Sequence, residues 1–111
     1  MLMITTSEVL QEILIALREE LQETMGSQLE AIYLYGSQAR GEARPDSDID
    51  ILIVVRGEHD YLELLERVAP VVCGLSLEHD VVISPAFISK ERYDQEQIPF
   101  ILNVRREAVA L

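Results

Sequence analysis

The chain has 111 residues, of which 49% are apolar, and its formal net charge is −11. This length predicts a single domain over residues 1–111 with a small hydrophobic core. The acidic charge repels phosphate backbones and argues against DNA or RNA as a direct partner; it suits a basic protein partner, although solubility alone explains it.

Several negative signals point to a cytoplasmic protein. The sequence shows no basic segment followed by a long apolar run at its start, so no signal peptide is expected. No apolar stretch approaches the ~20 residues that span a bilayer, so we expect no membrane association. The single cysteine, Cys73, suits a reducing compartment. Its neighbours Val71 and Val72 predict a buried thiol rather than a nucleophile.

The first half of the chain predicts one helix and two strands. Apolar residues recur three or four apart along one helical face, while charged residues populate the other face. Residues with high β-propensity then fill two short segments, each followed by a glycine. The predicted elements are a helix over 7–25, a strand over 29–35 and a strand over 48–56.

The second half predicts further helices and a third strand around the same core. A second apolar helical face precedes a proline, and a segment of β-forming residues follows it. The predicted elements are a helix over 59–69 stopped by Pro70, a strand over 75–84 stopped by Pro85, helices starting after Ser89 and at Pro99, and a short strand or frayed end over 108–111. This order predicts an α/β (α+β) domain in which helices flank a small mixed β-sheet.

Two aspartates at the start of the second predicted strand carry the first chemical signal. Alternate side chains of a strand share a face, so Asp48 and Asp50 point the same way, about 6–7 Å apart. Their mutual repulsion is relieved by a hard cation such as Mg²⁺, and two such ions serve nucleotidyl transfer in many enzymes. The pair alone is more simply explained by an edge strand whose aspartates face solvent.

A glycine-serine pair closes the first predicted strand. Gly36 lets backbone N–H groups approach an anion, and the Ser37 hydroxyl adds a donor for a phosphate oxygen. If Ser37 also begins a helical turn, the helix dipole favours negative charge there. Ten residues, 38–47, separate this pair from Asp48. Adjacent strands joined in this way would place phosphate donors beside the carboxylates, so the combination predicts a nucleotide and metal site.

The segment GSQARGEARPDSDIDILIVV resembles the signature of the polymerase-β-type nucleotidyltransferases. Gly36-Ser37, ten further residues and Asp48-x-Asp50 carry the resemblance, which is strongest to the minimal nucleotidyltransferase (MNT) family. It extends through the short length to the tail around Pro99-Phe100 and Asn103, and so covers nearly the whole chain. The resemblance implies a polymerase-β-like nucleotidyltransferase fold and a Mg-dependent enzyme.

The resemblance also implies roles for the matched residues. Gly36 and Ser37 would hold the triphosphate of ATP, and Asp48 and Asp50 would ligate Mg²⁺, with two ions expected. Arg40 matches an arginine of the family pattern and would neutralise phosphate charge. From the residues alone, Arg40 could equally pair with a partner or with Glu42 or Asp46.

A third carboxylate, acting as metal ligand or base, often lies on a later strand in this family. Asp80 is the best candidate here, and it completes the implied catalytic set with Ser37, Asp48 and Asp50. Glu78 would share the face of Asp80 on the predicted strand and is the second candidate. The alternative interpretation is an exposed aspartate at the start of a strand.

The resemblance finally implies a function and a partner. MNT proteins are commonly paired with a small helical HEPN-domain toxin and act as antitoxins, in studied members by transferring AMP from ATP to a tyrosine of the toxin. This chain is therefore expected to be a protein adenylyltransferase. One alternative is an antitoxin that neutralises its partner by binding alone, and another is nucleotidyl transfer to a small molecule.

Overall fold

The computed structural model describes residues 4–41, 48–57 and 59–111. Its regular elements are helices and four short strands. They are α1 (Ile4–Met25), a 3-10 turn (Gly26–Gln28), β1 (Leu29–Tyr35), α2 (Ser37–Arg40), β2 (Ile49–Val55), α3 (Tyr61–His79), β3 (Ile83–Ser89), α4 (Lys90–Gln95), α5 (Pro99–Glu107) and β4 (Val109–Ala110). None of the helices in these ranges is long and apolar enough to cross a bilayer.

The strands form one mixed sheet in the order β3-β2-β1-β4. β1 runs antiparallel to both β2 and β4, and β2 runs parallel to β3. This confirms the predicted small mixed sheet flanked by helices. Because β2 has a neighbour on each side, the interpretation of its aspartates as part of an edge strand is wrong.

β2 is buried on both of its faces and joins the two halves of the core. One face packs against α1 and α3 through Ile49, Ile51 and Ile53. The other face packs Leu52 and Val54 against side chains of β3 and α5. Since side chains alternate along a strand, the second face is the one that carries Asp50. The aspartate pair is therefore fixed by the most buried strand of the domain.

α3 continues through Pro70 to His79, so the predicted helix end near residue 69 is wrong. The apolar stripe recurs at three- and four-residue intervals on both sides of the proline, and its buried members are Leu64, Val68, Val72 and Leu75. An internal proline costs a helix about 3 kcal/mol, whereas each buried aliphatic side chain contributes about 1.5–3 kcal/mol. Burial of Val72 and Leu75 therefore outweighs the proline.

The third strand lies at Ile83–Ser89 rather than over 75–84, and Pro85 lies inside it instead of ending it. β3 is at the edge of the sheet, where a missing N–H does not interrupt a ladder on both sides. Asp80 and Glu78, predicted to lie on a strand, belong to the C-terminal end of α3 instead.

Most other boundaries agree with the sequence. β1 covers the predicted residues 29–35, α4 follows Ser89, and α5 begins at Pro99. The Ser89 hydroxyl accepts a hydrogen bond from the Arg92 N–H at 3.2 Å, as expected of an N-cap. Of the two alternatives for the C-terminal residues, the short strand is right, because β4 pairs with β1.

Cys73 is an exposed free thiol, so its predicted burial is wrong. The prediction rested on the neighbouring valines, but consecutive side chains of a helix point about 100° apart. Val72 lies on the buried face of α3, and Cys73 faces solvent.

Candidate active site

Asp48 and Asp50 lie at the start of β2 on one face of the sheet. Asp48 directly precedes the strand and is exposed, and Asp50 is half-buried. Partial burial raises the pKa of the Asp50 carboxyl, and the negative charge of Asp48 raises it further. The two carboxylates therefore repel each other in the absence of a cation, as the sequence predicts.

Gly36 brings the glycine-serine turn directly against this pair. In the antiparallel register Tyr35 is the partner of Asp50, which places the next residue, Gly36, beside the aspartate. A Cβ atom added to Gly36 would lie 2.7 Å from Oδ2 of Asp50, well inside van der Waals contact. Gly36 also has φ 76° and ψ −156°, a backbone conformation almost restricted to glycine. Conformation and close approach therefore both require glycine here.

Ser37 begins the single-turn helix α2, which meets the condition set for a favourable helix dipole there, and Arg40 ends it. The Arg40 N–H donates to the Gly36 carbonyl oxygen at 3.2 Å, which closes the turn. Nη1 of Arg40 lies 3.7 Å from Oε2 of Glu107 on α5. The acidic loop residues also considered for Arg40, Glu42 and Asp46, lie outside the described residues.

Asp80 and Glu78 are exposed and do not complete a cluster with the aspartate pair. Asp80 ends α3 with φ 54°, a left-handed conformation that aspartate tolerates better than most residues. The Glu78 carboxylate lies 3.5 Å from Nε2 of His79. Within the described ranges, no three or more Asp, Glu, His or Cys side chains are grouped to hold a metal ion. The structure thus brings Gly36 and Asp50 into contact, and the role of Asp80 stays a prediction.

Ser84 is the side chain on β3 that lies beside the aspartates, and the sequence prediction missed it. In the parallel register Ser84 is the partner of Asp50, and registered residues of neighbouring strands point to the same face. Its side chain therefore lies beside Asp50 on the neighbouring strand. The sequence alone does not reveal this neighbour, because it depends on the register between β2 and β3.

Residues 14–107 match the model of the nucleotidyltransferase domain family. The chain belongs to this family. The protein adenylyltransferase MntA of Thermococcus cleftensis is 35% identical over 89 residues, which are 80% of this chain and 87% of that protein. The predicted MNT-type nucleotidyltransferase is thereby confirmed, and so is the prediction of an enzyme.

Solved structures support the fold of this nucleotidyltransferase. A toxin-antitoxin crystal structure with AMP-PNP superposes with a TM-score of 0.59 at 19% identity, covering 85% of this chain and 68% of that chain. A variant of the MntA-HpeT toxin-antitoxin superposes with a TM-score of 0.56 at 21% identity, covering 91% and 69%. The predicted nucleotidyltransferase fold is confirmed by these likenesses.

Nucleotidyltransferases generally use ATP and divalent metal ions, and the residues of this site fit such an ion. Asp48 and Asp50 supply two carboxylates on one face, and Mg²⁺ is usually bound by one or two carboxylates plus substrate phosphates. Gly36 allows the turn to approach the Asp50 carboxylate so closely that a Cβ atom there would lie 2.7 Å from Oδ2. Burial, and then the negative charge of Asp48, raise the Asp50 pKa, and a cation bound there would offset the repulsion between the two carboxylates.

Aromatic side chains of β1, α4 and α5 cover the same face beside Asp50. The rings of Tyr33 and Tyr93 stack at 5.2 Å, and the Tyr35 and Phe100 rings meet edge to face at 5.3 Å. Burial, and then the Asp50 charge, raise the pKa of the Tyr35 hydroxyl. The two β1 tyrosines therefore pack against the second cluster of the core. The place of Phe100 beside the site follows from the tertiary fold, which brings α5 against β1.

Proposed function

We propose that this nucleotidyltransferase transfers AMP from ATP to a hydroxyl group of a partner toxin and thereby acts as an antitoxin. The similarity to a protein adenylyltransferase over most of both chains supports this acceptor class. We further propose that the chain is one domain over residues 1–111, that it acts in the cytoplasm, and that the partner is a HEPN-type toxin modified on a tyrosine. The net charge of −11 suits a basic partner surface.

The observation that carries this proposal is the contact between the glycine-serine turn and the carboxylate pair. A Cβ atom at Gly36 would lie 2.7 Å from Asp50, so a phosphate held at the turn lies next to the carboxylates. We assign triphosphate binding to Gly36, Ser37 and Arg40, and metal binding to Asp48 and Asp50. This arrangement would place a phosphorus atom of the bound triphosphate between the glycine-serine turn and the two carboxylates, where it could react.

The proposed reaction forms one bond and breaks one bond at the α-phosphorus of ATP. The acceptor oxygen bonds to this phosphorus, the bond from the phosphorus to the bridging oxygen breaks, and pyrophosphate leaves. The acceptor proton passes to a carboxylate base. When bound, two Mg²⁺ ions would neutralise charge on the attacking and leaving oxygens. The turn at Gly36 and Ser37 orients the triphosphate, which makes the reaction effectively intramolecular.

Asp80 is our proposed base and third metal ligand. Because β2 and β3 are parallel, both strands begin at the same end of the sheet. Asp80, three residues before β3, therefore lies toward the end of the sheet at which Asp48 precedes β2. Ser84 stands next to Asp50 on the adjacent strand and is suited to hold the acceptor hydroxyl near the pair.

Asp80→Asn is expected to lower the rate of AMP transfer by about a hundredfold, the usual contribution of a general base. The matched change Glu78→Gln, two residues away at the same helix end, is expected to leave the rate within about twofold. Single-turnover transfer of labelled AMP from ATP measures both. A wild-type rate in Asp80→Asn would remove Asp80 from the mechanism and leave the remaining site intact, and a loss in Glu78→Gln alone would assign the role to Glu78.

Intact-protein mass spectrometry tests the proposed function. The purified chain is incubated with a candidate HEPN toxin, ATP and Mg²⁺, and the toxin is expected to gain the mass of one or more AMP groups on tyrosine. The double variant Asp48→Ala/Asp50→Ala should give no gain while still binding the toxin. An unchanged toxin mass in a mixture where the two proteins bind would contradict transfer. Neutralisation of the toxin by the double variant would instead favour binding alone.

A further inference from the structure

A small pocket lies beside the glycine-serine turn, between the end of β1, α2 and α5. Its volume is about 180 Å³, and its walls include Tyr35, Gly36, Arg40, Phe100, Asn103 and Glu107. Pockets that enclose whole drug-sized ligands are usually about 300–1,000 Å³. This pocket is therefore sized for one part of a nucleotide.

The pocket is continuous with the candidate active site. Gly36 approaches Asp50 and also lines the pocket, and Tyr35 is the strand partner of Asp50. The pocket lies at the end of β1, on the side of the site away from β3. A nucleotide whose phosphates lie at the turn could therefore extend its base into this pocket.

The walls of the pocket suit a flat heterocycle better than a phosphate group. Tyr35 and Phe100 supply two rings that meet edge to face at 5.3 Å, and the Phe100 side chain is 42% exposed at the surface. Aromatic faces bind bases by stacking. At the α5 wall the Glu107 carboxylate, 3.7 Å from the Arg40 guanidinium, adds a negative charge that repels anions. Phosphate binding is therefore disfavoured at the α5 wall of the pocket, whereas Arg40 and Gly36 border the turn that is proposed to hold the triphosphate.

An amide group stands on the same wall and can recognise the edge of a base. Oδ1 of Asn103 accepts a hydrogen bond from Nη2 of Arg106 at 2.7 Å. The amide nitrogen of Asn103 keeps its two N–H donors, and a ring nitrogen of adenine is an acceptor. The Asn103 amide could therefore donate a hydrogen bond to a ring nitrogen of a purine base in the pocket.

We propose that this pocket is the nucleobase subsite of the enzyme, in which Phe100 stacks on the adenine of ATP and Asn103 contacts its edge. The proposal rests on the proposed use of ATP and adds the residues that select the base. It assigns the phosphates to the turn and the base to α5.

Isothermal titration with ATP and with inorganic tripolyphosphate, both with Mg²⁺, tests the subsite. Phe100→Ala is expected to raise the Kd for ATP at least about fivefold, the low end of the loss of one base stacking contact, and to leave the Kd for tripolyphosphate unchanged. Leu102→Ala is the matched control, because Leu102 lies on the same helix and is 40% exposed but does not line the pocket. It is expected to change neither Kd.

Two further variants make the outcome independent of folding defects. Phe100→Leu keeps apolar volume against Tyr35 but removes the ring, and it is expected to weaken ATP binding in the same direction. Asn103→Ala is expected to reduce the ratio of the Kd for UTP to the Kd for ATP. An equal loss of ATP and tripolyphosphate affinity in Phe100→Leu, or no loss of either, would overturn the subsite. A wild-type chain that binds tripolyphosphate but prefers no base would do the same, whereas failure to bind either ligand would count against the proposed function itself.

Discussion

Asp50→Asn is expected to lower the rate of AMP transfer by at least about a hundredfold while the chain stays folded. The substitution removes the carboxylate that lies against the glycine-serine turn, and it preserves the size of a half-buried side chain. Transfer of labelled AMP under single-turnover conditions gives the rate. Asp94→Asn, the same chemical change on the exposed surface of α4, serves as the control and should keep full activity.

The same variant also has a stability signature with a defined sign. Burial and Asp48 raise the folded-state pKa of Asp50, so between its ordinary and raised values the folded chain binds more protons than the unfolded chain. Without metal, the free energy of unfolding therefore contains a component that decreases as the pH rises through this interval. Asp50→Asn lacks that component, so its stability relative to wild type should increase toward neutral pH.

Urea unfolding in the presence of a chelator measures this difference at acidic and neutral pH. Added Mn²⁺ should then stabilise the wild-type chain and leave Asp50→Asn unchanged, because a ligand that binds only the folded state stabilises it by mass action. A variant that responds to Mn²⁺ as the wild type does would show that Asp50 is not a metal ligand.

Gly36→Ala is expected to abolish detectable AMP transfer and to lower the free energy of unfolding by about 1–3 kcal/mol. The backbone at this residue has φ 76° and ψ −156°, which an L-residue rarely adopts. The added methyl group would also lie 2.7 Å from Oδ2 of Asp50, so the carboxylate or the turn must move. Denaturant unfolding and the AMP-transfer rate report the two effects separately.

Gly41→Ala provides a matched control at the other end of the same turn. Gly41 has φ 73° in the ordinary left-handed region, and an added Cβ atom would meet nothing within 4 Å. This variant should lose about 1–2 kcal/mol from backbone strain alone. It should keep most of its transfer activity. Equal activity losses at the two glycines would mean that the contact with Asp50 is unimportant.

Local patterns were enough to predict the central part of this fold. β1 and the turn at Gly36 follow from short-range signals, namely β-propensity and a closing glycine. The shared face of Asp48 and Asp50 follows from the two-residue period of a strand. The contact between Gly36 and Asp50 was also within reach, because a ten-residue connection joins the two strands.

The errors arose where tertiary packing outweighed a local signal. Pro70 predicted a helix end and Pro85 a strand end, yet burial carries α3 past the first and an edge position tolerates the second. The shift of β3 along the chain moved Asp80 off the strand and brought Ser84 beside Asp50. Register between distant segments sets such neighbours, and sequence patterns do not encode it directly.

The double-sided burial of β2 and the exposure of α5 give these two elements a different tolerance of substitution. Nearly every side chain of the strand that carries Asp50 is enclosed, so most substitutions there cost stability before they alter chemistry. α5 fully buries only Ile101 and Val104, and most of its other side chains face the surroundings or the pocket. Substitutions along α5 are therefore expected to change what the domain binds at a smaller cost in stability than substitutions in β2.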